Sequence, residues 1–313
     1  MPWEDPDVHD SDTILAIDRL PRSLTVLGGG VVGCEYASTF AALGVRVDLV
    51  ERRSRLLAFL DLEIGDRLLE AMTTLGVTLH LGEKIDAVRR EAADGIGVRL
   101  ASGERLSSEK VLVASGRVGD TDALDLDAVD VRTDERGRVV VDDHYRTTTT
   151  GIYAAGDVIG FPALASTSME QARVAVCHAF GFEYKRQVSD LLPYGIYTIP
   201  EVSCVGLGEE EAERDGIDAV VGRAFFRDNA RGQIVGDRDG MVKLVFDRTT
   251  RALIGCHCIG ERASELVHIG QTVIALGGTV ETFIEMVFNY PTLSEAYKYA
   301  AYDALARLPP ARD

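Results

Sequence analysis

Gly28-Gly29-Gly30-Val31-Val32-Gly33 has the spacing G-x-G-x-x-G, and Glu51 closes the next apolar run. Such a loop can hold a pyrophosphate. Gly28 permits a tight turn, Gly30 leaves the backbone open to a phosphate, and Gly33 lets a helix pack closely on the preceding strand. Val31 and Val32, opening that helix, add N–H groups at its positive end. Glu51 can accept from a ribose 2′-hydroxyl. Arg52, Arg53 and Arg55 come directly after it. A carboxylate repels a 2′-phosphate and a guanidinium pairs with one, so the loop admits both NAD and NADP. The plain alternatives are a glycine turn of an ordinary α/β sheet and solvated loop arginines.

These residues need elements to hold them. Ser23 to Leu27 reads as a strand, Val31 to Leu43 as a helix stopped by Gly44, and Val45 to Val50 as the next strand. Asp61 can cap a helix running to Leu75 and ending at Gly76, with a strand from Val77 to Leu81 after it. Val98 to Leu100, the turn Ser102-Gly103 and the stretch to Leu106 suggest a hairpin. Val111 to Ala114 is a short apolar strand of the parallel-sheet kind, left through Ser115-Gly116-Arg117. Further on, a strand is expected at Ile152 to Ala155 and a helix from Ser166 to Phe180. Strands at 220–226, 241–247 and 252–259 precede helices at 261–276 and 279–287, and Leu293 to Leu308 forms a last helix. Glu209-Glu210-Glu211-Ala212-Glu213 reads as a solvated helix face. The fold class is α/β, with a Rossmann-type NAD(P)-binding domain at 23–117 behind a leading segment, 1–22, that has no core of its own.

A chain of 313 residues suggests about two domains. Its net charge of −17 argues against nucleic acid or an anionic membrane as a partner. No apolar run approaches the ~20 residues that span a bilayer, and the acidic start MPWEDPDVHDSD is no targeting peptide. Cys34, Cys177, Cys204, Cys256 and Cys258 are scattered, which fits the cytoplasm. Cys256 and Cys258 are expected on opposite faces of a strand, poorly placed to share a metal. His257 and His268 read as packed or interface residues. No metal site is expected.

The stretch from Thr149 to Asp157 ends in Gly156-Asp157, an acid after a strand that could cap the next segment. Here the chain resembles the pyridine nucleotide–disulfide oxidoreductases, flavoproteins with two dinucleotide sites. The resemblance covers nearly the whole chain. VASGRVGDTDAL (113–124), which holds Gly116, is similar to the family's return from the NAD to the FAD domain. LASTSMEQAR (164–173), with Ala165, is similar to its flavin-side helix, and YTIPEVSCVG (197–206) to the opening of its dimerisation domain. DSDTIL, VVGCEYASTF, RSRLLAFLD, GDVIGFPALAS, GIYTIPEVS and FNYPTLSEAY resemble its transhydrogenase branch. The resemblance implies FAD contacts at Gly116, Gly156, Asp157 and Ala165. It places Glu35 near the nicotinamide and flavin, usually paired with a lysine of the first domain. It also implies the C-terminal part of an FAD domain at 118–190 and an α+β dimerisation domain at 191–313. A homodimer is implied as well, its interface including the apolar helix Leu266 to Leu276.

The departures are informative. A full member begins with an FAD domain carrying its own glycine loop and, in most branches, a redox cysteine pair. No second G-x-G-x-x-G precedes residue 28 and no C-x₄-C occurs. The chain therefore resembles the last two-thirds of such an enzyme, and weak FAD binding or none is expected of it alone, with loss of turnover. Disulfide-reducing members carry His-Pro-Thr and a nearby Glu as a thiol acid–base pair. Here the run is Tyr290-Pro291-Thr292-Leu293-Ser294-Glu295. A tyrosine, with an ordinary pKa near ~10, is a poor proton shuttle at neutral pH. Hydride passage from NADPH through flavin to NAD⁺ needs no thiol base, so the expected activity is transhydrogenation. The C-terminus, Leu308 to Asp313, has no thiol pair, against mercuric reduction. The alternatives are a dihydrolipoamide dehydrogenase-like disulfide reductase and a non-catalytic, dinucleotide-binding, dimerising fragment.

Overall fold

A computed structural model describes residues 1–91 and 95–309; residues 310–313 of the thiol-free C-terminus lie outside them. The chain forms two compact units, residues 1–115 with 193–313, and residues 116–192. Among the described residues no helix is long and apolar enough to cross a membrane.

The first part of the larger unit runs β1 (Val8–His9), β2 (Ser23–Leu27), α1 (Val31–Ala42), β3 (Arg46–Glu51), α2 (Leu62–Thr74), β4 (Val77–Leu81), β5 (Ile85–Glu91), β6 (Gly95–Leu100), β7 (Arg105–Ser108) and β8 (Lys110–Val113). A parallel sheet has the order β1-β8-β2-β3-β4, with Val26 opposite Leu49 and Leu49 opposite Leu79. β2 is buried along its whole length, as parallel strands covered on both faces must be. Antiparallel β5, β6 and β7 make a smaller sheet, and β6–β7 is the expected hairpin. α2 starts as its sequence predicts: Asp61 accepts from the N–H groups of Glu63 and Ile64.

In the smaller unit the main element is α3 (Ala165–Phe180), closed by Gly181 in the left-handed region. The larger unit then continues through β9 (Tyr194–Ile196), β10 (Val202–Gly206), α4 (Glu209–Arg214), β11 (Ala219–Phe225), α5 (Ala230–Val235), β12 (Met241–Asp247), β13 (Leu253–Ile259), α6 (Ala263–Ala275), α7 (Val280–Glu285) and α8 (Ala296–Leu305). Its antiparallel sheet has the order β11-β12-β13-β10-β9. One apolar core joins this sheet to the glycine-loop half: Ile196, Val202, Met241 and Ile259 pack with Leu56, Ile64, Leu68 and Met72. The α/β class with a Rossmann-type sheet and an α+β C-terminal part is therefore the observed architecture.

Several expectations need correction. The leading segment is not coreless: β1 pairs parallel with β8, and Ile14 is buried in the main core. Residues 152–155 form no strand; Tyr153 makes one isolated bridge, to Arg146. The last helix is a 3₁₀ turn, Leu293–Glu295, leading into α8. β5, β9 and β10 are strands beyond those the sequence pattern predicts. β5 reads as polar because its residues are exposed or half-buried, so no alternation shows.

Candidate functional site

The glycine loop joins β2 to α1. Gly28 has φ +117°, and its N–H donates to the Val50 carbonyl at 2.8 Å. A Cβ there would stand 2.5 Å from the Ala114 oxygen. Gly33 lies against the Gly28 carbonyl, so the helix sits directly on the turn. Gly30 is different: a Cβ built on it has open space to 4 Å. It is the N-cap of α1, and no side chain caps that end. The first-turn N–H groups, including those of Val31 and Val32, therefore have no partner within the helix. Open space in front of donors at a helix's positive end fits a pyrophosphate.

Glu51 is buried, and both of its carboxylate oxygens hold backbone. Oε2 accepts from Gly29 N at 2.7 Å and Oε1 from Arg53 N at 2.9 Å. The acid thus braces the loop, a role its sequence position does not reveal, and each oxygen keeps capacity for a hydroxyl. Arg52 and Arg53 are exposed. Arg55 is engaged: its guanidinium donates to the Leu62 carbonyl at 2.9 Å and to Asp66 at 2.6 Å.

Glu35 lies one turn into α1, half-buried, accepting from Tyr197 N at 2.9 Å. Burial raises its carboxyl above the ordinary value, opposed by that N–H. Ser38, a turn further on, accepts from Ile199 N at 3.1 Å. α1 therefore carries the end of the glycine loop and also fixes residues 197–199.

Within the smaller unit, Gly156 has φ +86° and donates to Gln171 Oε1 at 2.7 Å. A Cβ there would be 3.1 Å from Ser168 Oγ on α3. Asp157 is exposed and opens the turn Asp157–Ile159. Ala165 is exposed at the start of α3, which has no side-chain cap. Gly116 has φ +135° with open space where a Cβ would be. An exposed acid can accept from hydroxyl groups, and an uncapped helix start can receive a phosphate.

Tyr290 is 73% exposed. Glu295 precedes α8 and accepts from the Tyr299 hydroxyl at 3.3 Å. Cys256 and Cys258 stand on the same face of β13, not on opposite faces, since residues two apart on a strand share a face. Their sulfurs are 4.0 Å apart, and the Tyr297 hydroxyl lies 3.3 Å and 3.7 Å from them while donating to the Leu266 carbonyl at 2.5 Å. Among the described residues no group of His, Cys, Asp or Glu is arranged to hold a metal. His257 is packed, with Nε2 on the Leu207 carbonyl at 3.0 Å, whereas His268 is exposed and meets Gln271 at 2.8 Å.

The family model described as pyridine nucleotide–disulphide oxidoreductase matches residues 3–179, and that of its dimerisation domain matches residues 192–301. A soluble pyridine nucleotide transhydrogenase of Mycobacterium tuberculosis (strain ATCC 25177 / H37Ra) is 48% identical over 98% of this chain and 65% of its own length. That of Pseudomonas fluorescens (strain SBW25) is 44% identical over 97% of this chain and 66% of its own. The chain thus spans slightly under two thirds of these curated relatives. Among solved structures, the HOCl-induced flavoprotein disulfide reductase RclA from Escherichia coli superposes with a TM-score of 0.89 at 29% identity, covering 94% of this chain and 67% of that one. LpdA from Mycobacterium tuberculosis gives 0.85 at 30% identity, with 94% and 64% covered.

Proposed function

The chain belongs to the pyridine nucleotide–disulphide oxidoreductase family, and from that premise we propose that it supplies the nicotinamide dinucleotide site and the dimerisation surface of a flavin-dependent transhydrogenase acting between NADPH and NAD⁺. The observation that carries this reading is the open Gly30 in front of the uncapped start of α1. Gly28, Gly30, Val31, Val32 and Gly33 hold the pyrophosphate. Glu51 braces the loop and takes the ribose of NAD, while Arg52 and Arg53 take the 2′-phosphate of NADP. Glu35 lies toward the nicotinamide. Gly116, Gly156, Asp157 and Ala165 form the share of an FAD site carried by this chain. FAD, when bound, supplies the ring that accepts and returns the hydride.

The organisation we propose is a leading segment at 1–22, the NAD(P) domain at 23–117, FAD-domain residues at 118–190 and the dimerisation domain at 191–313, paired as a homodimer in the cytoplasm. Tyr290 and Glu295 occupy the positions at which disulfide reductases keep their thiol acid–base pair. A disulfide reductase is the second reading, favoured by the names of the solved neighbours. The exposed Tyr290 counts against it, because a phenol stands where the resemblance puts the imidazole of a thiol acid–base pair. Mixing NADPH with thio-NAD⁺ in the whole flavoprotein tests the proposal. Hydride exchange is expected, and brisk disulfide reduction without exchange refutes it.

A further inference from the structure

Lys243, on β12, is fully buried, and its ammonium gathers three carboxylates. Nζ stands 2.8 Å from Asp61 Oδ2, 2.9 Å from Asp61 Oδ1, 2.8 Å from Glu209 Oε2 and 3.2 Å from Glu63 Oε2. Arg223 on β11 completes the cluster, with Nε 2.7 Å from Glu63 and a terminal nitrogen 3.3 Å from Glu209. The cations come from the C-terminal sheet, and Asp61 and Glu63 from the start of α2. Glu209, from the acidic run, is therefore more than a solvated face. Asp61 is the hub: it caps α2 and also accepts from Glu209 N at 3.2 Å. A buried ammonium is costly to desolvate, and an apolar residue would fill the site at less expense. Burial alone would lower the Lys243 pKa, but the hydrogen bonds to Asp61 and Glu209 outweigh it and hold the group charged.

Asp61 ends the segment that covers the glycine loop. At one end Glu51 grips Gly29 N and Arg53 N. In the middle, Leu57 N donates to the Gly29 carbonyl at 3.3 Å, with Leu57 held at φ +42°. Leu60 N returns to the Leu57 carbonyl at 2.9 Å, one residue before Asp61. Both polar groups of the Gly29 backbone are thus tied to residues 51–57, and the far end of that segment is tied to Lys243.

We propose that Lys243 is a positioning residue for the dinucleotide: by fixing Asp61 it fixes residues 52–60 over Gly29, and so sets the loop that receives the pyrophosphate. This rests on reading Gly28 to Gly33 as the dinucleotide loop. The C-terminal sheet then tunes an affinity expressed in the glycine-loop half, and a bound dinucleotide tightens the junction in return.

The test is NADH and NADPH binding, by nicotinamide fluorescence, to the full chain and to Lys243→Met, Lys243→Arg, Asp61→Asn and the Lys243→Met/Asp61→Asn pair. Asn keeps an acceptor for the cap. The double variant leaves neither partner of the Lys243–Asp61 pair charged and alone, so it carries the test if Lys243→Met does not fold. Affinity should fall on the order of tenfold in each single charge-removing variant, the scale for residues that touch no ligand. It should fall no further in the double variant, because both act through one contact. Lys243→Arg should recover most of the loss. Amide exchange at Gly29 and Leu57 should rise while the β5–β7 sheet keeps its protection. Wild-type affinity and exchange in the folded double variant overturn the proposal, leaving Lys243 a stabilising residue only. If the unaltered chain binds neither dinucleotide, the glycine-loop reading itself fails and this proposal falls with it.

Discussion

Gly30→Ala and Gly33→Ala change the same kind of residue three positions apart, and the structure predicts opposite outcomes. At Gly30 the backbone is extended, φ −79° and ψ −175°, and a methyl meets nothing within 4 Å. Alanine restricts the unfolded chain, a gain of about 0.4–1 kcal/mol. It is also a poorer N-cap than glycine, a loss of up to about 1 kcal/mol. The two nearly cancel, so stability should hold within about 1 kcal/mol. The methyl instead occupies the space the pyrophosphate needs. An overpacking cost of about 1–3 kcal/mol falls on the complex alone and weakens binding by roughly five- to 150-fold. At Gly33 the methyl is driven into the Gly28 carbonyl, with the carbonyl carbon at 3.0 Å and the Ala114 methyl at 3.5 Å. Backbone must move, so the same cost of about 1–3 kcal/mol falls on the folded protein itself. Urea melts with NADH fluorescence titrations separate the two. Wild-type NADH affinity in Gly30→Ala would refute the pyrophosphate assignment, and wild-type stability in Gly33→Ala would refute the packing argument.

Three further outcomes are expected. Arg52→Ala and Arg53→Ala should each weaken NADPH more than NADH, with the difference shrinking as salt is raised; equal losses for both dinucleotides would remove the 2′-phosphate role. In Asp61, burial alone raises the pKa, but His257, Lys243 and the Glu209 N–H more than reverse it, and the folded carboxyl titrates below its ordinary 3.8. Its contribution is therefore complete above about pH 4 and lost as the pH falls through the folded pKa. Urea midpoints should drop more steeply below about pH 4 in the wild type than in Asp61→Asn, and parallel slopes would contradict this. Cys34 and Cys204 are pushed up to about 12, burial first and neighbouring acids or thiols second. They should resist an aqueous disulfide reagent at pH 8 and react once unfolded; rapid labelling of the native chain would show the burial to be wrong.

What could be read from sequence was local. The capped start of α2 at Asp61 and its stop before Gly76 are short-range signals, and the helix is found there. The glycine loop is likewise a run of consecutive residues. β1 could not be read that way: two residues become a strand only because β8 offers an edge to them. Residues 152–155 show the converse, an apolar run with strand character and only the Arg146 bridge as a ladder. Lys243 was invisible for the same reason, since its carboxylate partner Asp61 lies 182 residues away. The bracing by Glu51 fell between these cases. Its position at the strand end suggested a ligand for ribose, but the nearest claims on its oxygens come from the loop it closes.

Two of the four tyrosines near the C-terminus, Tyr290 and Tyr297, show why residue type alone misleads about chemistry. Tyr297 sits against two thiols, a grouping that by proximity alone resembles a reactive centre. Its surroundings argue otherwise. It is fully buried, it spends its proton on the Leu266 carbonyl, and burial, with the adjacent thiols second, raises its pKa well above the ordinary value. Cys258 is raised too, first by its hydrogen bond to Cys256 and then by burial. Cys258, held protonated, is a poor nucleophile, and the Tyr297 hydroxyl ties α8 to the Leu266 carbonyl of α6 over β13. Tyr290 has the opposite setting, exposed and lying just ahead of the turn into α8. A side chain left in solvent can meet a ligand or a second subunit, which a sealed one cannot. Of the two, only Tyr290 is open to solvent. In the whole flavoprotein, Tyr290→His should introduce a group titrating near neutrality into the pH profile of hydride exchange, and an unchanged profile would remove Tyr290 from the proposed site.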